Sequence, residues 1–305
     1  MEPPSSFFAA RAKLNLYLKI MGRRADGYHL LESLVGFCST GDRVRAEPGT
    51  GLSLSIEGPF APALQGAPSA DNLVLRAAAA LADWVRYNEA RDMGAHLVLD
   101  KHLPVASGIG GGSADAAAAL NALRALWRLS IDDASLKALG AKLGADVPAC
   151  LAGTPALMSG IGDVLTSVPA FPETPILLVN PGVPLATPQV YRAFAAASPV
   201  LDGAAGSVPV GPWASAGAMV ADLITTRNDL EPVAIALCPA IAEVLDAVRA
   251  APGCRFARMS GSGASCFGIF ETGELAARAA ERLRARPGWW TAACRLETDA
   301  GAMTR

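Results

Sequence analysis

Between Pro104 and Asp115 the chain reads Pro-Val-Ala-Ser-Gly-Ile-Gly-Gly-Gly-Ser-Ala-Asp, with four glycines in the five positions 108–112. No helix or strand is built from such a run, because glycine has no side chain to pack and loses more backbone freedom on ordering than any other residue. What glycine offers is positive φ and close approach of the main chain to a ligand. The Ala-rich stretch from Ser113 to about Trp127 follows directly and reads as a helix. Its free N–H groups and the positive end of its dipole then face whatever the loop holds. Such a place binds anions, and a polyphosphate suits it. No lysine follows the glycines, which excludes a Walker A loop, and Ser113 stands where a dinucleotide fingerprint needs its third glycine. A flexible loop capped by Ser113 is the plain alternative.

The surrounding pattern places this loop in an α+β chain. From Lys13 to Ile20 apolar and polar residues alternate, which predicts a strand with Leu14, Leu16, Leu18 and Ile20 on one buried face. Lys13, Asn15, Tyr17 and Lys19 share the other face, the usual position of solvated side chains. A polar turn, Gly22 to Gly27, leads to a second apolar stretch at His29 to Phe37. Alternation at Leu52, Leu54 and Ile56 and at Ala95, Leu97 and Leu99 predicts two more strands. Asp71-Asn72 reads as the start of a helix running to about Arg86, and a further helix spans about Asp133 to Leu143 and stops at Gly144. The second half predicts a strand at Ile176 to Val179 and helices near Pro188 to Ala197, Ala216 to Ile224 and Asp229 to Arg249. Strands at Arg255 to Met259 and Ser265 to Phe270, a helix at Glu274 to Arg286 and a strand at Thr291 to Leu296 follow. That order is the order of a ferredoxin-like split βαβ layer. Ser198 to Pro212, rich in Pro, Gly and Ser, is expected to be a surface loop or insertion. A boundary near residue 160 divides the chain into 1–160 and 161–305.

Composition narrows the function. The formal net charge of the 305 residues is −2 with no Lys/Arg block, so a nucleic-acid partner is not favoured. No run of about 18 apolar residues exists, so no membrane span is expected. The six cysteines, Cys38, Cys150, Cys238, Cys254, Cys266 and Cys294, form no C-x-x-C pair and read as free thiols in a reducing, cytoplasmic setting, as does the lack of a secretory signal. The three histidines, His29, His96 and His102, lack the spacing of a zinc hydrolase.

The glycine loop, Pro-x₃-Gly-x-Gly-Gly-Gly-Ser-x-Asp, resembles the phosphate loop of the GHMP kinases. Met259-Ser260-Gly261-Ser262-Gly263-Ala264-Ser265-Cys266-Phe267 resembles the C-terminal glycine motif of that family, and Ala12-Lys13-Leu14-Asn15-Leu16 its first motif. The resemblance implies a two-domain fold. Its parts are a ribosomal-protein-S5-like ATP-binding domain and a ferredoxin-like C-terminal domain, with the active site in the cleft between them. It implies ATP and Mg²⁺ as cofactors and an alcohol as acceptor. Gly22-Arg23-Arg24 followed by Asp26-Gly27-Tyr28-His29-Leu30 resembles a branch acting on a cytidine diphosphate-linked methylerythritol. Asp71-Asn72-Leu73, Gly144-Ala145-Asp146-Val147-Pro148 and Arg227-Asn228-Asp229-Leu230-Glu231 agree with that branch. Ala114 departs from the pattern, since many relatives carry a second serine there.

Carried over residue by residue, the resemblance gives Lys13 and Asp146 as the catalytic pair. On sequence alone Asp146 is equally an ordinary helix N-cap before Val147-Pro148. Pro104, Val105, Ala106, Ser107, Gly108, Ile109, Gly110, Gly111, Gly112, Ser113 and Ala114 would hold the ATP phosphates, with Ser113 the protein ligand of Mg²⁺. Asn72, Leu73 and Lys101 would lie near the adenine. Asn15, Tyr28, His29, Asp146, Thr187 and Tyr191 would contact the acceptor, with Tyr28 and His29 clasping its base. On their own these two read as local packing and a strand start. Gly261, Ser262 and Gly263 would line the cleft. The expected partners are ATP and the small-molecule acceptor, without nucleic acid or membrane, in a monomer or weak homodimer.

Overall fold

The computed structural model describes residues 6–65, 71–197 and 209–298. Its N-terminal part is organised by one 20-residue strand, β3 (His29–Pro48), which follows β1 (Phe8–Asn15) and β2 (Lys19–Arg23). β1 and β2 both pair antiparallel with β3. β4 (Leu52–Glu57) runs parallel to β5 (Ala95–Asp100), which pairs antiparallel with β3. Helices α1 (Leu73–Glu89), α2 (Gly111–Leu126), α3 (Asp133–Ala141) and α4 (Val147–Ala152) pack beside this layer. Asn72 caps α1, its Oδ1 accepting the Val74 N–H at 2.9 Å. Between Ala114 and Leu123 every residue of α2 is buried, and alanine makes up most of that face. Small side chains let the helix sit close against β1 and β3.

The hairpin β6 (Ala156–Ser159) and β7 (Val164–Ser167) then adds to β3. β8 (Thr174–Asn180) opens the C-terminal layer. Helices α5 (Thr187–Ala196), α6 (Ala216–Leu223), α7 (Glu231–Leu237) and α8 (Ala240–Arg249) precede β9 (Cys254–Met259) and β10 (Cys266–Phe270). α9 (Gly273–Arg284) and β11 (Trp290–Leu296) complete it. The strands lie in the order β11–β8–β10–β9, all antiparallel, which is the ferredoxin-like arrangement. β11 also meets β3 at Leu296 opposite Cys38, so the two layers form one continuous sheet. No helix among the described residues is long and apolar enough to cross a membrane.

Four expectations change. The strand predicted over Lys13 to Ile20 is interrupted: β1 ends at Asn15 and β2 begins at Lys19. Its polar face is not solvated, because Lys13, Asn15 and Tyr17 are only 3%, 4% and 1% exposed. A second layer of protein covers the face that alternation assigns to water. The helix predicted over Asp229 to Arg249 is two helices, broken at Cys238-Pro239, where proline has no N–H to continue the ladder. Helix α2 begins inside the glycines, at Gly111 rather than Ser113. The hairpin β6–β7 escapes prediction because two four-residue strands show too little alternation to register. Of the predicted surface loop at Ser198 to Pro212, residues 198–208 lie outside the described residues.

Side chains tie the layers together. Arg258 on β9 is 8% exposed and donates from Nη1 to the carbonyl of Leu16 at 2.9 Å and to Thr226 Oγ1 at 2.8 Å. Its Nη2 donates to the carbonyls of Leu223 and Thr226. Asn228 Nδ2 donates to the carbonyls of Met259 and Gly261 at 2.9 and 2.8 Å. Removing a buried donor strands its acceptors, at about 1–3 kcal/mol each. Arg258→Met is therefore expected to cost about 3 kcal/mol or more, seen as a lower urea midpoint with an unchanged slope. A midpoint equal to that of the unmodified protein contradicts the bridging role.

Candidate active site

Lys13 stands near the end of β1, where its ammonium is almost wholly buried. Nζ lies 3.0 Å from Asp146 Oδ1 and donates to Asn15 Oδ1 at 3.3 Å. The Lys13 N–H donates to the carbonyl of Ile109 at 2.9 Å, so the lysine backbone is fastened to the glycine loop. Gly110 lies under its side chain: a Cβ there would come within 3.2 Å of Lys13 Cβ, and φ is +68°. Asp146 occupies the cap position of α4 but has helical φ and ψ and makes no capping bond. Its carboxylate is free to pair with Lys13, with about a third of the side chain open to the cleft. The ordinary N-cap role that the sequence offered for this side chain is not filled, since Asp146 makes no side-chain capping bond.

The glycine loop is held from behind by the second glycine motif. Ser265 N–H donates to the carbonyl of Ser107 at 3.0 Å, and Ser260 Oγ to that of Gly108 at 3.2 Å. A Cβ on Gly108 would lie 2.3 Å from the carbonyl oxygen of Gly263, so only glycine lets these two main chains meet. Helix α2 starts from Gly110 in left-handed conformation without a side-chain cap. The helix start, with Gly110, Gly111, Gly112 and Ser113, faces an open cleft of about 990 Å³. Uncapped N–H groups and a positive dipole end are what an anion needs there.

Beneath the loop, Lys101 Nζ lies 2.6 Å from both Asp42 Oδ2 and Asp115 Oδ2. Asp42 Oδ1 also accepts the N–H groups of His102 and Leu103 at 2.5 and 2.7 Å. Burial, opposed by Lys101 and reinforced by the neighbouring Asp42, pushes the Asp115 carboxyl above the usual carboxylate range. The Lys101 ammonium is committed to these carboxylates, although the residue lines the cleft along with Asn72 and Leu73.

The other end of the cleft is aromatic. Tyr28, on the turn after β2, is 62% exposed. The ring of His29 lies 5.3 Å from that of Tyr191 and 5.8 Å, edge on, from that of Phe194. Burial, with Arg23 nearby, lowers the His29 pKa, which favours a neutral imidazole. Burial and the Asp146 charge push the Tyr191 hydroxyl up to about 12. Thr187 Oγ1 and Ser262 Oγ are 2.7 Å apart, linking the start of α5 to the second glycine motif.

Lys13, Asn15, Tyr28, His29, Asp146, Thr187, Tyr191, Gly261 and Ser262 all line this one cleft, as do Pro104 to Gly108. Three predicted residues do not. Ile109 and Ala114 are 0% and 2% exposed and pack into the core, and Gly263 backs the loop from below. Sequence reasoning missed Asp42, Asp115, Ser260, Ser33, Phe194 and Arg258 as parts of the site or its support. Asp115 and Ser260 stood inside the two glycine motifs, and Asn228 within the segment Arg227 to Glu231, each without an assigned role; Asp42, Ser33, Phe194 and Arg258 carried no signal without a fold.

Comparison with known proteins agrees with this geometry. The GHMP kinases N terminal domain matches residues 72–154 and the GHMP kinases C terminal domain residues 212–287. The chain belongs to the GHMP kinases. Within them it is 52% identical, over 94% of this chain and 98% of the relative, to the 4-diphosphocytidyl-2-C-methyl-D-erythritol kinase of Cereibacter sphaeroides. It is 49% identical, over 92% and 95%, to the protein of the same name from Parvibaculum lavamentivorans. A crystal structure of 4-(cytidine 5'-diphospho)-2C-methyl-D-erythritol kinase superposes with a TM-score of 0.73 at 35% identity, covering 96% of this chain and all of that one. Mevalonate kinase from L. major shares the fold, with a TM-score of 0.66 at 16% identity, over 98% and 99% of the two chains.

Gly108→Ala places a methyl group against the Gly263 carbonyl and forces the loop to shift. Nucleotide affinity is expected to fall by about tenfold or more, a loss of at least 1.4 kcal/mol, in a titration with ADP. An affinity within twofold of the parent contradicts the close-approach argument.

Proposed function

We propose that this protein transfers the γ-phosphoryl group of ATP to the 2-hydroxyl of 4-diphosphocytidyl-2-C-methyl-D-erythritol, yielding the 2-phosphate and ADP. The reaction belongs to non-mevalonate isoprenoid precursor synthesis. The observation that carries this reading is the Lys13–Asp146 pair, 3.0 Å apart, between an uncapped helix start and an aromatic recess in one cleft. Relatives near 50% identity that bear the name of this activity supply the acceptor.

The chemistry follows from the placement of the groups. The N-terminus of α2 and the main chain of the glycine loop bind the triphosphate, and Asn72 and Leu73 border the adenine side. Tyr28, His29 and Tyr191 hold the cytosine, for which a neutral imidazole offers one donor and one acceptor. Asp146 accepts the proton of the acceptor hydroxyl. Lys13 holds the Asp146 carboxylate in place and stabilises charge on the group in transit. Transfer requires mainly positioning and electrostatic stabilisation, so a lysine, a carboxylate and a row of amides suffice. Among the described residues no cluster of three His, Cys, Asp or Glu exists to cage a metal. Mg²⁺ therefore fits as an ion carried by the nucleotide phosphates, where it supplies charge neutralisation, with Ser113 at the helix start as its protein ligand. Residues 1–160 bind the nucleotide and 161–305 complete the acceptor side. The protein works in the cytoplasm as a monomer or weak homodimer; all six cysteines are free thiols, in keeping with a reducing compartment.

ADP release tests the reading. Turnover with the diphosphocytidyl acceptor, and little with homoserine or mevalonate, is expected; the reverse preference overturns the assignment. Asp146→Asn should lower kcat by about 100-fold or more while ADP affinity stays within a few-fold, because the base is lost and the shape kept. Tyr28→Ala should raise the KM of the cytidine substrate by about tenfold through lost stacking, with the KM of ATP unchanged. Equal effects on both KM values remove Tyr28 from the acceptor end.

A further inference from the structure

Asn15 carries a second, unassigned connection. Ser33 sits on β3, completely buried, directly behind Asn15. Ser33 Oγ donates to the carbonyl of Tyr17 at 2.5 Å. Its single proton is thereby committed, and the oxygen that faces Asn15 is left as an acceptor. Asn15 Nδ2 donates to that oxygen at 2.7 Å. An amide that turns its NH₂ toward Ser33 must turn its carbonyl the other way, and Oδ1 accordingly accepts from Lys13 Nζ at 3.3 Å. Were the amide reversed, two donors would meet at Lys13 and two acceptors at Ser33, each in a buried site where an unmatched polar group costs about 1–3 kcal/mol.

We propose that Ser33 is a positioning residue for phosphoryl transfer: through the fixed orientation of the Asn15 amide it holds the Lys13 ammonium against Asp146. The inference rests on the proposed roles of Lys13 and Asp146. The chain of contacts is Tyr17 carbonyl, Ser33 hydroxyl, Asn15 amide, Lys13 ammonium, Asp146 carboxylate, and only the last three residues line the cleft. Ser33 thus acts on the reacting groups without touching a substrate. The backbone on either side is fixed independently. The Asn15 N–H donates to Ser260 Oγ at 3.1 Å, and Ser33 pairs in register with Met158 of β6. What Ser33 alone decides is which end of the Asn15 side chain faces the lysine.

The test is a double-mutant cycle in kcat with Ser33→Ala, Asn15→Ala and the double variant. A route through Asn15 predicts that Ser33→Ala lowers kcat by about tenfold in the parent and by less than twofold in the Asn15→Ala background, because the effect has nothing left to pass through. The KM of ATP is expected to stay within about twofold in the Ser33 variant, since the loop that binds phosphates is untouched. Equal losses in both backgrounds, or a loss confined to KM, overturn the proposal. Thermal melts of all three variants separate folding from turnover: an inactive Ser33→Ala that melts with the parent, yet shows no coupling to Asn15, also counts against it. Ser33→Cys gives a second arm, since a thiol is a weaker donor and acceptor and should fall between serine and alanine. If the parent itself shows no ADP release with any acceptor, the functional reading fails. If the parent turns over and the cycle shows additivity, only the Ser33 assignment fails.

Discussion

Two main chains touch where a single methyl group would keep them apart. The carbonyl of Gly263 lies where a Cβ of Gly108 would be, and around that contact the hydroxyl of Ser260 and the amide of Ser265 stitch one glycine motif to the other. The first motif belongs to the N-terminal layer and the second to the ferredoxin-like layer. Their contact fixes how the layers stand against each other, and hence the width of the cleft. Lys13 depends on the same seam. Its amide is bonded to Ile109 and its side chain lies over Gly110, so wherever the loop goes the lysine goes too.

Charge is distributed along this cleft with a clear division of labour. Lys13 is a buried cation at the wall of the cleft, paired with a carboxylate that solvent still reaches in part. Lys101 is almost wholly buried and is shared by two carboxylates that are buried with it. A buried ion triad of this kind is weak evidence for net stability, since desolvation offsets much of the attraction. Its geometric effect is definite: it ties the chain at the end of β5 and the middle of β3 to the first turns of α2. The helix needs no side-chain cap because the loop leaves that end free for an anion.

Much of this was legible in the sequence, and for stated reasons. Four glycines before an Ala-rich helix have few physical uses, and β4 alternates cleanly because one of its faces is exposed. The order of elements after residue 174 was readable as a split βαβ, and the observed strand order agrees. The first strand was misread on one point. Alternation of Leu14 and Leu16 with Lys13 and Asn15 signals one wet face only if nothing covers it, and here a second layer does. Buried lysine and asparagine on a strand look the same in sequence as exposed ones; only partners such as Asp146 and Ser33, far along the chain, tell them apart. The same holds for Asp42 and Arg258, whose partners are assembled from distant segments. The short hairpin β6–β7 and the break at Pro239 are local events, each overridden by a longer apparent pattern.

The position of the last strand has a consequence for how the molecule is made. β11 is inserted between β3 and β8, so a strand more than 250 residues beyond β1 in the chain fills the middle of the sheet and not its rim. Without it, the facing edges of β3 and β8 stand open. The two halves of the sheet are joined through this one inserted strand, so their union depends on its docking between them.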